Sequence, residues 1–188
     1  MEQGDPRHLL IEISKILERL KIPYIVTGGI AVLVWGRPRF TADIDIVVEL
    51  KLENIDVLAR TLSLLGKANY IDKNMIKETL KHGGEFNFIH GETGIKVDFW
   101  MLEKTPFELS RIKRRVAKNI LGKKVYFTSP EDLILSKLRW YQQSQSSRHI
   151  EDVTSILKIS GKKLNMIYLK RWAKKLGVLD ILNKLIKS

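Results

Sequence analysis

Tyr24-Ile25-Val26-Thr27-Gly28-Gly29, a spacer of thirteen residues, then Asp43-Ile44-Asp45-Ile46-Val47-Val48: the fold turns on this stretch. Tyr24 to Thr27 is aromatic and β-branched, the composition of a short buried strand. Gly28 and Gly29 follow at once. Without a Cβ they let the backbone come close to a ligand, and they leave free amides at the start of a short apolar helix, Ile30 to Trp35. Such a helix start binds phosphate oxygens. Asp43 to Leu50 reads as a second strand. Side chains alternate along a strand, so Asp43 and Asp45 share one face while Ile44, Ile46 and Val48 take the other. Two carboxylates on one strand suit a pair of hard cations.

Reading outward, Asp5-Pro6 forms a cap and a first helical position, and Leu9, Leu10, Ile13, Ile16, Leu17 and Leu20 recur at helical spacing. Pro23 ends that helix. Gly36-Arg37-Pro38-Arg39 is a turn. Leu52 to Leu65 is a helix stopped by Gly66, and Asp72 to Leu80 is a weaker one. Glu85 to His90 and Ile95 to Met101 are strands joined by Gly91-Glu92-Thr93-Gly94, a hairpin. A short helix falls near Phe107 to Ile112. Val116 to Leu121 and Lys123 to Phe127 pair around Gly122. Ser129-Pro130-Glu131-Asp132 is a helix start with serine as cap, proline first and acids at the positive end of the dipole. That helix runs to about Gln143. Helices at Arg148 to Lys158, Leu164 to Leu176 and Val178 to Lys187 complete the chain. The order is α/β first and helical afterwards: a core over residues 1–128 and a helical C-terminal region over 129–188.

A cation pair needs a third acid, and Asp98 is the best candidate. In Ile95-Lys96-Val97-Asp98-Phe99-Trp100-Met101 the apolar residues at odd positions share a face, and Asp98 shares the other with Lys96 and Trp100. An acid in so apolar a strand is costly unless paired; a metal ion or a nearby lysine would resolve the cost.

Composition narrows the class. Hydrophobic residues make up 44% of the 188 residues, enough to bury a core. No apolar run approaches the roughly 20 residues of a membrane helix, and the start lacks the order of a signal peptide, so the expected location is cytoplasmic. With no cysteine there is no thiolate site, and the four histidines lack paired ligand spacing. Oxygen ligands favour magnesium, manganese or calcium over zinc. The charge of +12 is unevenly spread: residues 1–102 sum to −1 and residues 103–188 to +13. A basic half points to a polyanion such as RNA, and equally to a solvated lysine-rich surface. Lysine and isoleucine number 22 each, a composition that hints at a thermophile.

The strand, Gly28-Gly29, the spacer, Asp43-x-Asp45 and the later Asp98 together resemble the polymerase-β-like nucleotidyltransferases, whose signature is G-[GS], a spacer, D-x-[DE] and a later acid. Arg39-Phe40-Thr41-Ala42-Asp43-Ile44-Asp45 is similar to the R-x-T-x-D-I-D run of their AbiEii-type branch, which includes abortive-infection toxins. Ser129-Pro130-Glu131-Asp132-Leu133-Ile134 with Lys137, and Arg148-x-x-x-Asp152, resemble that branch's second block. The likeness spans roughly Tyr24 to Leu157. Gly29 stands where many relatives have serine.

The resemblance implies a small mixed sheet flanked by helices, and transfer of a nucleoside monophosphate from a nucleoside triphosphate to a hydroxyl, releasing pyrophosphate. It implies that Asp43, Asp45 and Asp98 hold Mg2+ or Mn2+, with Asp98 drawing the acceptor proton. Gly28, Gly29, Arg39, Thr41, Lys137 and Asp152 would form the nucleotide-binding set. A tRNA or other RNA acceptor fits the basic half, where Arg111, Lys113, Arg114, Arg115 and Lys118 cluster; a small molecule or a protein hydroxyl also fits. An antitoxin or a second copy of the chain are the other expected partners. The rival is a non-catalytic nucleic-acid-binding or toxin–antitoxin partner-binding module that keeps only the fold. Taken singly, each element has an ordinary explanation: a turn at Gly28-Gly29, a lysine reaching past apolar neighbours at Lys137, an i, i+4 pair at Arg148 and Asp152. Trp35, Trp140 and Trp172 read as core.

Overall fold

The computed structural model describes residues 5–187, and the chain divides into two compact units. The first comprises Met1–Ile30 and Phe40–Phe127, the second Ala31–Arg39 and Thr128–Ser188.

The first unit holds a seven-stranded mixed sheet in the order β3-β4-β5-β2-β1-β7-β6. The strands are β1 (Tyr24–Val26), β2 (Asp43–Val48), β3 (Tyr70–Ile71), β4 (Glu85–Ile89), β5 (Lys96–Met101), β6 (Val116–Ile120) and β7 (Lys123–Phe127). Helix α1 (Pro6–Arg19) precedes the sheet, α3 (Ile55–Ser63) and α4 (Lys73–His82) lie between β2 and β4, and α5 (Pro106–Lys113) follows β5. Helix α2 (Gly28–Trp35) begins in this unit and runs on into the second.

Alternation decides which face of the sheet is dry. Ile44, Ile46 and Val48 of β2, Val97 and Phe99 of β5, and Phe86 and Phe88 of β4 are all almost fully buried. Phe86 stacks on Phe99 with ring centroids 4.9 Å apart. Tyr24 lies in register with Val48 on this face and donates its hydroxyl to Glu18 of α1 at 3.3 Å. Burial pushes that phenol up to about 12. The opposite face is apolar at one end only, where Ile25, Val47 and Trp100 pack with Ile112 of α5. Its other end carries the acids.

The second unit contains the rest of α2, α6 (Pro130–Ser144), α7 (Ser147–Ser160), α8 (Met166–Lys175) and α9 (Leu179–Lys187). Ser129 caps α6 as its sequence predicts, its hydroxyl accepting from the Asp132 amide at 3.2 Å. The cap belongs to a buried network. Ser129 Oγ donates to Asp132 Oδ2 at 2.7 Å, and Tyr168 Oη of α8 donates to Asp132 Oδ1 at 2.7 Å. Glu131 accepts the Asn165 amide at the start of α8. The two acids therefore fasten α8 to α6, beyond any effect on the helix dipole. Indole Nε1 of Trp35 donates to the Thr128 carbonyl at 2.9 Å, and Ser160 Oγ donates to the Trp35 carbonyl at 2.6 Å.

Three local expectations are corrected, and one strand had no counterpart among them. Residues 52–54 form a 3-10 turn before α3, and Gly28 and Gly29 are the first residues of α2 itself. The two-residue strand β3 has too few residues for any periodicity to announce it. Trp140, expected in the core, is 45% exposed because it lies on the outer side of α6. Among the described residues no helix is long and apolar enough to cross a membrane.

Candidate active site

Strands β2 and β5 are parallel neighbours, and their register places Asp45 directly opposite Asp98 and Asp43 opposite Lys96. Partners across a ladder point to the same face, so Asp43, Asp45 and Asp98 share the open face of the sheet. Neighbouring strands are about 4.8 Å apart. Two carboxylates about 5 Å apart repel by roughly 3 kcal/mol at the effective dielectric of a near-surface site, so the row needs a cation.

Lys96 supplies one. Its Nζ lies 2.7 Å from Asp98 Oδ2. The hydrogen bond to Asp98 holds this ammonium above its usual range, with the charges of Asp98, Asp43 and Glu85 adding to it. The other oxygen of Asp98, Oδ1, is buried and has no hydrogen-bond partner among the described residues. An unsatisfied charged oxygen normally costs about 1–3 kcal/mol or more. Asp45 Oδ1 accepts from Trp100 Nε1 at 3.4 Å, which ties it to the apolar end of the face. Glu85 and Asn87 of β4 also border the acids, with no motif to mark them in the sequence. Asn87 is in register with Asp98 and Glu85 with Trp100. Desolvation raises the Glu85 pKa, as do the charges of Asp98 and Asp45. The hairpin pattern predicted β4; only its register with β5 reveals that Asn87 and Glu85 flank the acids.

Gly28 explains how the helix start meets this row. Its φ of +60° is left-handed, and a Cβ there would lie 1.8 Å from Asp45 Oδ2. The Thr27 amide donates to the Asp45 carbonyl at 2.9 Å. Only glycine admits both the conformation and the carboxylate. Gly29 is buried. Thr41 is half-buried, its hydroxyl 3.4 Å from the Asp43 carbonyl.

The donor set fits a divalent cation in chemistry: three carboxylates on one face, one with an open buried oxygen. It is not a closed cage. Among the described residues no three His, Cys, Asp or Glu side chains are gathered as a ready-made metal site. Lys96 holds Asp98 through Oδ2.

The remaining expected residues lie in the helical unit. Asp152 of α7 is 2% exposed and receives two cations: Arg39, whose Nε donates to Oδ1 at 2.8 Å and whose Nη2 donates to Oδ2 at 3.0 Å, and Lys137 of α6, whose Nζ is 2.8 Å from Oδ2. Burial works to raise the Asp152 pKa, but the hydrogen bonds from Arg39 and Lys137 outweigh it and leave the carboxyl below its usual value. Arg148, whose spacing allows an i, i+4 pair with Asp152, is exposed, and Asp152 pairs with Arg39 and Lys137. Lys137 does not reach past its neighbours to solvent; it is buried against a counter-ion. The beginning of α7 also brings His149 near these charges. Burial lowers its pKa, as does the charge of Lys137. A cleft of about 440 Å³ borders the triad, lined by Arg37, Arg39, Asp152, Ser155 and Lys158 among others.

The basic cluster around α5 is smaller than the sequence suggests. Arg111 is buried, with Nη1 2.9 Å from Glu108 Oε2 and Nη2 2.8 Å from Thr27 Oγ1. It braces the end of β1 and is withdrawn from any surface role. Arg115 stacks over the Tyr126 ring at 4.4 Å.

Comparison with known proteins agrees with this architecture. The family model for the nucleotidyl transferase AbiEii toxin of type IV toxin–antitoxin systems matches residues 14–182. No curated protein sequence matches the chain significantly. Among solved structures, the chain is similar to an antigenic nucleotidyltransferase-like protein from Paracoccidioides brasiliensis at 22% identity and a TM-score of 0.53, covering 81% of this chain and 75% of that one. It is similar to ANT(2")-Ia in complex with adenylyl-2"-tobramycin at 16% identity and a TM-score of 0.56, covering 97% and 99%. It is also similar to the lincomycin-bound lincosamide antibiotic adenylyltransferase LnuA at 16% identity and a TM-score of 0.53, covering 84% and 99%. At such identities the likeness is one of fold. The family match is of another kind, since it takes in most of the chain, and on that ground the chain belongs to the AbiEii family of nucleotidyltransferases.

Proposed function

We propose that the chain moves a nucleoside monophosphate from a magnesium-bound nucleoside triphosphate to a hydroxyl, and that Asp43, Asp45 and Asp98 are its cation ligands. One observation carries this reading: Asp45 and Asp98 stand opposite each other on parallel strands, with Asp98 Oδ1 buried and unpartnered. An acceptor oxygen attacks the α-phosphorus, the bond from that phosphorus to the bridging oxygen breaks, and pyrophosphate leaves. The hydroxyl proton passes to Asp98. When bound, the cation supplies neutralisation of the charge that builds on the phosphoryl oxygens. Gly28 and Gly29 present backbone amides to phosphate at the start of α2, and Thr41 lies beside Asp43. In the helical unit, Arg39, one-quarter exposed on the cleft, is the cation that a phosphate can reach, with Asp152 and the buried Lys137 holding it in place.

For the acceptor, the basic half favours an RNA, and the family's description favours a toxin of a toxin–antitoxin system. The test is transfer of label from each α-labelled nucleoside triphosphate, with magnesium, to total tRNA, to protein and to small hydroxyl compounds. Label should appear on one acceptor class and vanish with Asp45→Asn. Absence of label on every class, together with no magnesium-dependent triphosphate binding by calorimetry, would leave the chain a non-catalytic member of its family.

A further inference from the structure

The cation row is already occupied from within. Lys96 and Asp98 are two residues apart on β5 and project from the same face, and their charged atoms are 2.7 Å apart. Asp43 stands across the ladder from Lys96 itself. The lysine side chain is 39% exposed while that of Asp98 is 8% exposed, so the ammonium can leave toward water without crossing the core. Its carboxylate partner cannot follow it. No ready-made cage of acids is found among the described residues.

We propose that Lys96 is a built-in competitor for the divalent cation, an ammonium paired with Asp98 that has to be released from it before the cation can bind. This rests on the reading of Asp43, Asp45 and Asp98 as cation ligands. Two consequences follow from charge alone. In the cation-free protein Lys96 offsets the repulsion between Asp98, Asp45 and Asp43, so the site stays folded while empty of metal. Cation binding is then an exchange, and its apparent affinity is the intrinsic one reduced by the fraction of molecules in which Asp98 is free. If Lys96 holds Asp98 about nine-tenths of the time, removing it tightens binding by roughly tenfold. Arginine at the same position should act in the opposite sense. A guanidinium can grip a carboxylate with two parallel hydrogen bonds and is more weakly hydrated than an ammonium, so it gives the carboxylate up less readily.

Binding of Mn2+ alone, followed by the electron paramagnetic resonance signal of the free ion, tests this without substrate or activity. Lys96→Met should bind Mn2+ roughly tenfold more tightly than the natural protein, and Lys96→Arg more weakly. Thermal unfolding in chelator and in Mn2+ guards against a poorly folded variant. Lys96→Met should be less stable than the natural protein in chelator and should gain more from Mn2+. If the natural protein binds Mn2+ and both variants bind it equally well, Lys96 only neutralises a buried acid and the competition is refuted, while the cation ligands stand. If none of the three proteins binds Mn2+, while Asp45→Asn still abolishes transfer, the ligand assignment itself fails and the competition with it.

Discussion

The carboxylate of Asp45 fills the space in which a side chain at Gly28 would begin: a Cβ there would lie 1.8 Å from Oδ2. Helix start and acid row are thus built against each other. Gly28→Ala forces a residue with a Cβ into a left-handed φ of +60°, at a cost of roughly 1–2 kcal/mol. It also pushes Asp45 off the Asp98 row. We expect a modest loss of stability in urea and a far larger loss of function. A displacement of about 1 Å at a reacting centre can cost on the order of 100-fold. Label transfer should fall by at least that factor while the far-ultraviolet circular dichroism is kept. Transfer at the natural rate would show that the contact is packing alone.

Asp152 is the pivot of the helical unit, and removing it leaves two cations around an empty space. Lys137 has a side chain only 9% exposed, so it cannot regain its hydration without moving. Breaking a buried pair from one side costs roughly 3–5 kcal/mol. Asp152→Ala should lower the unfolding free energy by about that much. The double variant Lys137→Met with Asp152→Ala should recover part of the loss, since the stranded ammonium is gone and Arg39, one-quarter exposed, can turn to water. A double-mutant cycle in urea measures the coupling. Additive losses would mean the two side chains do not stabilise each other.

These contacts show what the chain declared and what it kept back. Alternation put Asp43 and Asp45 on one face, and the same rule placed Lys96 beside Asp98, because period-two geometry is local. The hairpins and the Ser129 cap were legible for the same reason. The pairing of β2 with β5 was not, since it is fixed by which strands become neighbours across more than fifty residues. Arg148 and Asp152 have the spacing of a helix pair, yet Asp152 is buried and takes partners from α6 and from the Arg37–Arg39 turn. Helical spacing shows which residues can meet on one helix. It is silent on what another segment brings. Arg111 misled in the same way: a run of basic residues looks like surface until one of them meets Thr27.

Acid should weaken the helical unit in two steps of the same sign. His149 has a lowered pKa in the fold, because burial and the charge of Lys137 oppose its protonation. The unfolded chain therefore binds a proton more readily, and stability falls as the pH drops through the ordinary histidine range near ~6.5. Asp152 also has a lowered folded pKa. Its contribution is complete above the ordinary aspartate value of about 3.9 and is lost as the pH falls through the folded value. Urea midpoints between pH 8 and pH 3 should show a shallow decline first and a steeper one last. His149→Gln should remove the first and leave the second. A profile unchanged by that substitution would mean His149 gains protons equally in both states.

Arg111 and the pair Arg114–Arg115 look alike in sequence, and the structure separates them. Arg111 is buried between Glu108 and Thr27, while Arg114 and Arg115 are partly exposed beside the β6–β7 hairpin. Residues 103–188 carry a net charge of +13, and the notion that this half binds an RNA acceptor rests on that charge. Each phosphate neutralised on a single strand releases bound counterions and adds about 0.7 to the slope of log affinity against log salt. Replacing both Arg114 and Arg115 by glutamine should therefore weaken binding of total tRNA at low salt and flatten that slope by roughly 1–1.5. Nucleoside triphosphate affinity should hardly change. Arg111→Gln should do the reverse: it strands Glu108, lowers stability by roughly 1–3 kcal/mol, and leaves the salt slope of the folded protein alone. Filter binding across a salt series, with urea unfolding of each variant, distinguishes the two. A salt slope that is flat for the natural protein would turn the search for the acceptor toward proteins and small hydroxyl compounds, because no phosphate backbone would then be in contact with the basic half.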